Sequence, residues 1–166
     1  MPVLSQGNIF DAVPRVQLMI VFGRLGFNQI NMFWRPFAEQ HPELRISHNP
    51  FRECPRQPIA CDGHFLWFVA EEDNHGMTDD QVTAALDEAL EWAKANRIKS
   101  IATNGIMNSE RHGHDARINR QIDDQRAAYL IAYAARVEEA LGIRFELISL
   151  CDIFVRNTAL VEEEGC

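Results

Sequence analysis

Residues 16–22 read VQLMIVF, a nearly continuous apolar run that gives the strongest indication of the fold class. Such a run is typical of a β-strand that is covered on both faces. Further along the chain, the same signal recurs at residues 64–70 (HFLWFVA), 98–103 (IKSIAT) and 143–151 (IRFELISLC). The chain is therefore predicted to contain buried strands that are far apart in sequence.

Three helices are predicted between these strands. The first follows the sequence GRLG that ends the opening strand, and it carries Phe33, Trp34 and Phe37. Pro36 is expected near its first turn, where a missing N–H is tolerated. The helix is expected to end at His41, because a residue before proline avoids the helical region.

The second and third helices have clearer signals. In residues 78–96, Thr78 and Gln81 have the spacing of a capping box. The predicted apolar face of this helix is Val82, Ala85, Leu86, Ala89, Leu90 and Ala93. The third helix begins near residue 115 and ends before Gly142. Its predicted apolar stripe is Ile118, Ile122, Tyr129, Tyr133, Val137 and Leu141.

The alternation of strands and helices predicts an α/β fold, a three-layer α/β/α domain with a mixed, mostly parallel sheet. One domain is expected over residues 1–157, followed by an acidic tail at 158–166. Residues 49–62 contain three prolines and are expected to form a long loop. In such sheets ligands bind beyond the carboxyl ends of the strands, so the segments that follow the strands are the candidate sites.

The charge of the chain restricts its partners. The formal net charge is −8 over 166 residues, and it is unevenly distributed. Residues 1–58 hold six arginines and four acidic residues, whereas residues 59–166 hold ten basic and twenty acidic residues. Duplex DNA binding by phosphate neutralisation needs a basic surface, so this partner is not expected. The slightly basic first third suits a small phosphate-containing ligand.

The N-terminal residues, the length of the apolar stretches and the cysteines indicate where in the cell the protein is expected. Residues 1–10 lack the basic and long apolar runs of a signal peptide. No apolar stretch approaches the roughly 18 residues of a membrane-spanning helix. The protein is therefore expected to be cytoplasmic, without a membrane partner, and its four cysteines are expected to be reduced.

Four segments together resemble a known family. They are GNIFD at residues 7–11, the strand and helix up to PFAEQHPEL at 36–44, TDDQVTAALDEALEWAKANRIKSIAT at 78–103, and FELISLCDIF at 145–154. In this order they resemble the macro domain, the ADP-ribose-binding fold, and most closely its antitoxin type, which reverses DNA ADP-ribosylation. The resemblance implies a macro-domain-like fold and an ADP-ribose-like ligand, either free or carried by an ADP-ribosylated macromolecule.

The chain departs from the family pattern at the loops that hold the diphosphate. Macro domains usually have a V-N-x-x-N strand end and glycine-rich loops, but here the strand ends in VFGR at residues 21–24. The loops read GFNQIN at 26–31 and NGIMNSERHG at 104–113, and most of the usual glycines are missing. Glycines let backbone N–H groups approach a diphosphate, so an altered ligand or an altered chemistry is expected.

The resemblance assigns ligand contacts to both ends of the nucleotide. Asn8 and Ile9 are expected at the adenine, with Phe154 as a stacking ring. The candidate diphosphate contacts in and before the first loop are Gly23, Arg24, Gly26, Phe27, Asn28, Gln29 and Asn31, and the Arg24 guanidinium suits phosphate oxygens. In the second loop they are Asn104, Gly105, Asn108, Ser109 and Arg111. The alternative for each segment is structural: a capped turn, a core phenylalanine or a polar surface loop.

His112, His114 and Asp115 are the candidate catalytic residues, because histidine titrates near neutral pH and suits proton transfer. The alternative is a pair of ordinary surface histidines. No metal or other cofactor is predicted. The residue types that bind zinc occur at His48, Cys54, Cys61 and His64, but their spacing lacks a C-x2-C knuckle. That spacing favours a proline-rich loop with two buried thiols.

The sequence thus predicts binding or sequestration of an ADP-ribose-related nucleotide in a degenerate macro-domain pocket. Binding is favoured over hydrolysis because the usual asparagines and glycines are missing. Two alternatives stay open. One is a divergent hydrolase that removes ADP-ribose or splits a nucleotide phosphoester, and the other is a protein-interaction module without a ligand.

Overall fold

The computed structural model describes residues 1–24, 30–44, 49–71, 77–105 and 116–157. Its strands are β1 (Val3–Gln6), β2 (Leu18–Arg24), β3 (Pro58–Cys61), β4 (His64–Glu71), β5 (Ser100–Thr103) and β6 (Arg144–Ser149). They form one six-stranded sheet in the order β1-β6-β5-β2-β4-β3. Every neighbouring pair is parallel except β3 with β4. The predicted mixed, mostly parallel sheet is confirmed.

Helices cover both faces of the sheet, which confirms the three-layer α/β/α architecture. They are a 3-10 helix η1 (Ile9–Arg15), α1 (Asn31–Gln40), α2 (Pro50–Glu53), α3 (Asp79–Ala95), α4 (Ala116–Leu141) and α5 (Ile153–Arg156). Among the described residues, none of these helices combines the length and the apolar character needed to cross a membrane. The predicted acidic tail lies outside the described residues.

Strand β2 shows why its sequence is continuously apolar. Leu18, Ile20 and Phe22 point to one face and pack against α3, α4 and α5. Met19 and Val21 point to the other face and pack among residues of η1, α1 and α2. All five are at most 2% exposed, so burial on both faces removes the need for any polar position. We call these two layers the α3 face and the α1 face.

The expected long loop over residues 49–62 is wrong, because this segment contains α2 and β3. Asn49 caps α2 through a side-chain oxygen that accepts a hydrogen bond from the Phe51 N–H at 3.0 Å. Strand β3 then joins β4 through Asp62 and Gly63, whose φ angles are 50° and 82°. Positive φ at both residues of an Asp-Gly pair is the signature of a tight hairpin turn. That dipeptide was the signal for the missed strand.

The prediction for α3 is confirmed in detail. The Gln81 N–H donates to Thr78 Oγ1 at 3.2 Å, and the Thr78 N–H donates to Gln81 Oε1 at 2.8 Å, which completes the capping box. The predicted apolar face is buried as a whole. Helix α1 ends before His41 as expected. Pro36, however, lies in its interior rather than its first turn, because the helix already begins at Asn31.

The predicted stripe of α4 is correct only in its second half. Tyr133 and Val137 are buried, but Ile118 is 41% exposed while Asn119 and Arg126 are buried instead. Arg126 is buried in a long-range ion pair. The Arg126 guanidinium pairs with the Asp79 carboxylate and donates to the Met77 carbonyl, at the start of α3. A charged residue therefore occupies the buried face of α4, which apolar periodicity does not reveal.

Candidate functional site

The carboxyl ends of β1, β6, β5 and β2 lie side by side, because these four strands are adjacent and parallel. We call this row the carboxyl edge. Each predicted binding segment that the structure describes is at the end of one of these strands. Asn8 and Ile9 follow β1, Phe154 follows β6, Asn104 follows β5, and Arg24 ends β2. Segments that are far apart in sequence therefore share one edge.

The connections that leave β2 and β5 go to opposite faces of the sheet. After β2 the chain enters α1, whose Trp34 and Phe37 belong to the α1 face. After β5 it enters α4, whose Leu130 and Ile131 belong to the α3 face. Neighbouring parallel strands whose connections diverge in this way form a crevice at their carboxyl ends, where α/β proteins bind ligands. The carboxyl edge thus has the topology of a ligand site.

The side chain of Asn104 is bound to the backbone of β2 at the carboxyl edge. Its Oδ1 accepts a hydrogen bond from the Phe22 N–H at 2.8 Å, and its Nδ2 donates to the Phe22 carbonyl at 3.0 Å. Strand β5 ends at Thr103, whose partner on β2 is Ile20. The amide therefore takes the place of a β5 backbone beside Phe22. Asn104 was predicted as a ligand contact, and in this structure its side chain is committed to the sheet.

Gly23 is a point of close packing. A Cβ at this position would lie 2.4 Å from Cζ of Phe51, and the Phe51 ring is fully buried. Real Cβ atoms do not approach another atom so closely, so only glycine fits here without displacing the ring. Gly23, a predicted diphosphate contact, thus has a definite packing role on the α1 face.

Arg24, the last residue of β2, is an exposed cation at the carboxyl edge. Alternation along β2 directs its side chain to the α3 face, the same face as Phe22. Its register partner on β4 is Glu71, whose side chain is directed to the same face and is 3% exposed. Because Arg24 is exposed, its guanidinium is accessible to an anion.

Two further predicted phosphate contacts are described. Gly105 is buried with a φ of 61°, a left-handed conformation that glycine adopts without strain. Its N–H lies 3.5 Å from Thr103 Oγ1. Asn31 is the first residue of α1 and is half-buried.

The adenine segment forms a capped turn. Asn8 Oδ1 accepts a hydrogen bond from the Phe10 N–H at 3.0 Å and caps η1. The Gly7 N–H donates to the Ser149 carbonyl at 2.8 Å, so β1 and β6 stay paired up to this turn. Ile9 is 6% exposed. An amide oxygen has a second lone pair, so the cap leaves Asn8 able to accept another hydrogen bond.

Phe154 lies in the core of the α3 face and is 0% exposed. Its ring therefore has no free face on which a base could stack in this structure. The neighbouring exposed apolar side chains are Leu150 and Val155, at 56% and 45% exposure. Phe154 supports the end of β6 by packing, as the structural alternative predicted.

The remaining candidates lie outside the described residues. They are Gly26, Phe27, Asn28 and Gln29 of the first loop, Asn108, Ser109 and Arg111 of the second loop, and the candidate catalytic residues His112, His114 and Asp115. Their assignments stay predictions.

Of the zinc-type residues considered from the sequence, His48 is likewise outside the described residues. Cys61 and His64 are neighbours across the β3–β4 hairpin, but their side chains have different partners. His64 Nδ1 lies 2.6 Å from the Val16 carbonyl. Cys54 is a half-buried free thiol. Cys61, 1% exposed, donates instead to Glu43 Oε1 at 3.7 Å, and the same oxygen lies 3.1 Å from His41 Nδ1.

Burial, followed by the charge of Glu43, raises the pKa of the Cys61 thiol to about 11. The pKa of Glu43 is lowered, first by a hydrogen bond from its own backbone and also by His41. Sequence reasoning missed this trio. His41 and Glu43 follow α1 and Cys61 ends β3, and no local pattern links those elements.

A scan against protein-family models finds no match for this chain, and neither curated proteins nor solved structures show a match.

Proposed function

We propose that the protein binds an ADP-ribose-related nucleotide at the carboxyl edge and holds it without efficient hydrolysis. One observation carries the proposal. The segments that resemble the ligand-binding segments of macro domains follow four adjacent parallel strands, β1, β6, β5 and β2. The outer two of these strands are about 14 Å apart at the usual spacing. That length suits the distance from the adenine base to the diphosphate of an extended ADP-ribose.

The adenine end is assigned to the turn after β1. The second lone pair of Asn8 Oδ1 accepts a hydrogen bond from the exocyclic amino group of adenine, while the first stays with Phe10. Phe154 supports this end from within the core rather than by stacking. This part of the proposal retains Asn8 and Ile9 as contacts and gives Phe154 a packing role.

The diphosphate end is assigned to the crevice between β2 and β5. The exposed Arg24 supplies a forked cationic donor, which suits phosphate oxygens. Gly105 allows close approach of the backbone, since no side chain projects from it. Asn104 acts through Phe22 by fixing the point where β5 separates from β2.

Calorimetric titration with ADP-ribose, and with AMP and NAD in the same buffer, tests the proposal. Micromolar binding corresponds to about 8 kcal/mol and is readily measured. Binding of ADP-ribose that is much tighter than binding of AMP supports the assignment. Absence of heat with all three ligands contradicts it, and a stable homodimer or a captured protein partner then favours the interaction module.

A further inference from the structure

Three atoms of the kinds that bind zinc lie close together at the edge of the sheet opposite to the carboxyl edge. His41 follows α1, Glu43 lies two residues later, and Cys61 ends β3. Cys61 pairs with His64, the first residue of β4, so this cluster lies at the amino end of β4. His41 Nδ1, a Glu43 carboxylate oxygen and Cys61 Sγ all lie within 4.8 Å of one another.

The distances suit a tetrahedral ion. Zinc bound at about 2.0–2.1 Å from nitrogen and oxygen and 2.3 Å from sulfur separates its ligand atoms by about 3.4–3.6 Å. The nitrogen-to-oxygen distance between His41 and Glu43 is 3.1 Å, and the sulfur-to-oxygen distance between Cys61 and Glu43 is 3.7 Å. An adjustment of a few tenths of an ångström therefore brings these pairs to coordination geometry.

The surroundings hold two of the ligands in place and leave access on one side. Cys61 is buried and fixed by the β3–β4 hairpin. The His41 ring packs on Phe37, with ring centroids 4.5 Å apart. The Glu43 side chain is 45% exposed, so an ion enters from its side. Imidazole, carboxylate and thiolate together select zinc-type cations over calcium or magnesium.

We propose that His41, Glu43 and Cys61 form a site for Zn²⁺ or a similar divalent cation, with a water molecule at the fourth position. Binding replaces the thiol proton of Cys61 with the metal and releases that proton to solvent. The bound ion ties the end of α1 to the edge strand β3. The proposal is independent of the nucleotide site, which lies at the opposite edge of the sheet.

Cobalt titration of the EDTA-treated full chain tests this site. Co²⁺ is expected to bind at one equivalent, with a thiolate charge-transfer band in the near ultraviolet and tetrahedral bands in the visible, and Zn²⁺ is expected to displace it. Cys61→Ser is expected to abolish the charge-transfer band. Cys54→Ser and Cys151→Ser, matched controls at a half-buried and an exposed thiol, are expected to retain it.

Variants of the two other ligands keep the test decisive if Cys61→Ser does not fold. His41→Gln and Glu43→Gln alter partly exposed side chains and are expected to weaken Co²⁺ binding at least about tenfold, since loss of outer-shell partners alone costs that much. A wild-type chain without the charge-transfer band overturns the proposal. So does a band that persists in Cys61→Ser or is unchanged in both His41→Gln and Glu43→Gln.

Discussion

The side-chain amide of Asn104 hydrogen-bonds to both backbone groups of Phe22, as a neighbouring strand would. It does so just beyond Thr103, where β5 itself ends. The Asn104 side chain thus continues the pairing of β5 with β2 by one step, and the two strands separate beyond it. This pair therefore fixes the point at which the backbones of β2 and β5 diverge.

Removing this amide is expected to destabilise the protein. Asn104→Ala leaves the Phe22 N–H and carbonyl without their partner, which costs about 1–3 kcal/mol. Urea unfolding followed by circular dichroism measures the change. Asn104→Asp keeps an acceptor for the N–H but loses the donor to the carbonyl, so it is also expected to be less stable than the wild type. Wild-type stability in both variants would show that the amide is dispensable.

Gly23→Ala is expected to destabilise the protein by about 1–3 kcal/mol, as overpacking of a filled core does. The added Cβ would meet Phe51 Cζ at 2.4 Å, and the ring has no exposed side toward which to move. A double-mutant cycle with Phe51→Leu, followed by urea unfolding, is the check. Additive losses from Gly23→Ala and Phe51→Leu would contradict direct packing between the two residues.

Arg24→Gln is expected to weaken ADP-ribose binding about tenfold or more, because a charge-assisted hydrogen bond contributes about 1.5–3 kcal/mol. Calorimetry provides the measurement. The matched control is Arg144→Gln, which removes an exposed arginine at the amino end of β6, the opposite end of the sheet. Equal effects of the two substitutions would mean that only net charge matters and that Arg24 makes no phosphate contact.

The alternative function, hydrolysis of an ADP-ribosylated substrate, predicts an effect of the two histidines on turnover. If the protein turns over an ADP-ribosylated substrate, His112→Ala or His114→Ala is expected to abolish turnover while ADP-ribose binding persists, because these residues are assigned to proton transfer. Release of ADP-ribose, quantified by chromatography, is the readout. Turnover retained in both variants would remove these histidines from the mechanism.

Because of Tyr133, the free energy of unfolding is expected to depend on pH in the alkaline range. Its hydroxyl donates to Asp87 Oδ1 at 2.6 Å, and burial, followed by this hydrogen bond, raises the pKa of the phenol. A raised pKa in the folded state stabilises the protein below the ordinary tyrosine value of about 10, and that stabilisation is lost as pH rises beyond it.

Tyr133→Phe tests this dependence. The variant is expected to be about 1.5–3 kcal/mol less stable at neutral pH, because it loses a hydrogen bond to a carboxylate. Between about pH 9 and 11, its urea midpoint is expected to fall less steeply than that of the wild type. Parallel pH profiles would show that the Tyr133 phenol does not contribute.

Most long elements could be predicted because their signals are local. The apolar run of β2 and the capping box of α3 depend on residues that are close in sequence, and both predictions are confirmed. Short elements escaped prediction. Strand β3 has four residues and depends on pairing with β4, although Asp62 and Gly63 marked its turn. Four residues carry too little periodicity to outweigh three nearby prolines.

The candidate site was predictable only as a set of segments. The order of strands and helices indicated that ligands would bind beyond the carboxyl ends, and that depends on alternation alone. Which residues act as contacts and which as supports depends on partners far away in sequence. Asn104 meets Phe22 across 82 positions, and Cys61 meets Glu43 across 18.

Local sequence signals predict the α/β class, the limits of the long helices and most of the buried strands, because apolar periodicity and capping act within a few residues. Tertiary structure alone decided the face that α4 buries, through the pairing of Arg126 with Asp79. It also decided that Phe154 is core and that His41, Glu43 and Cys61 meet. Ion pairs and hydrogen bonds need short distances between side chains. Only packing of the helices and strands brings Arg126 to Asp79 and Cys61 to Glu43.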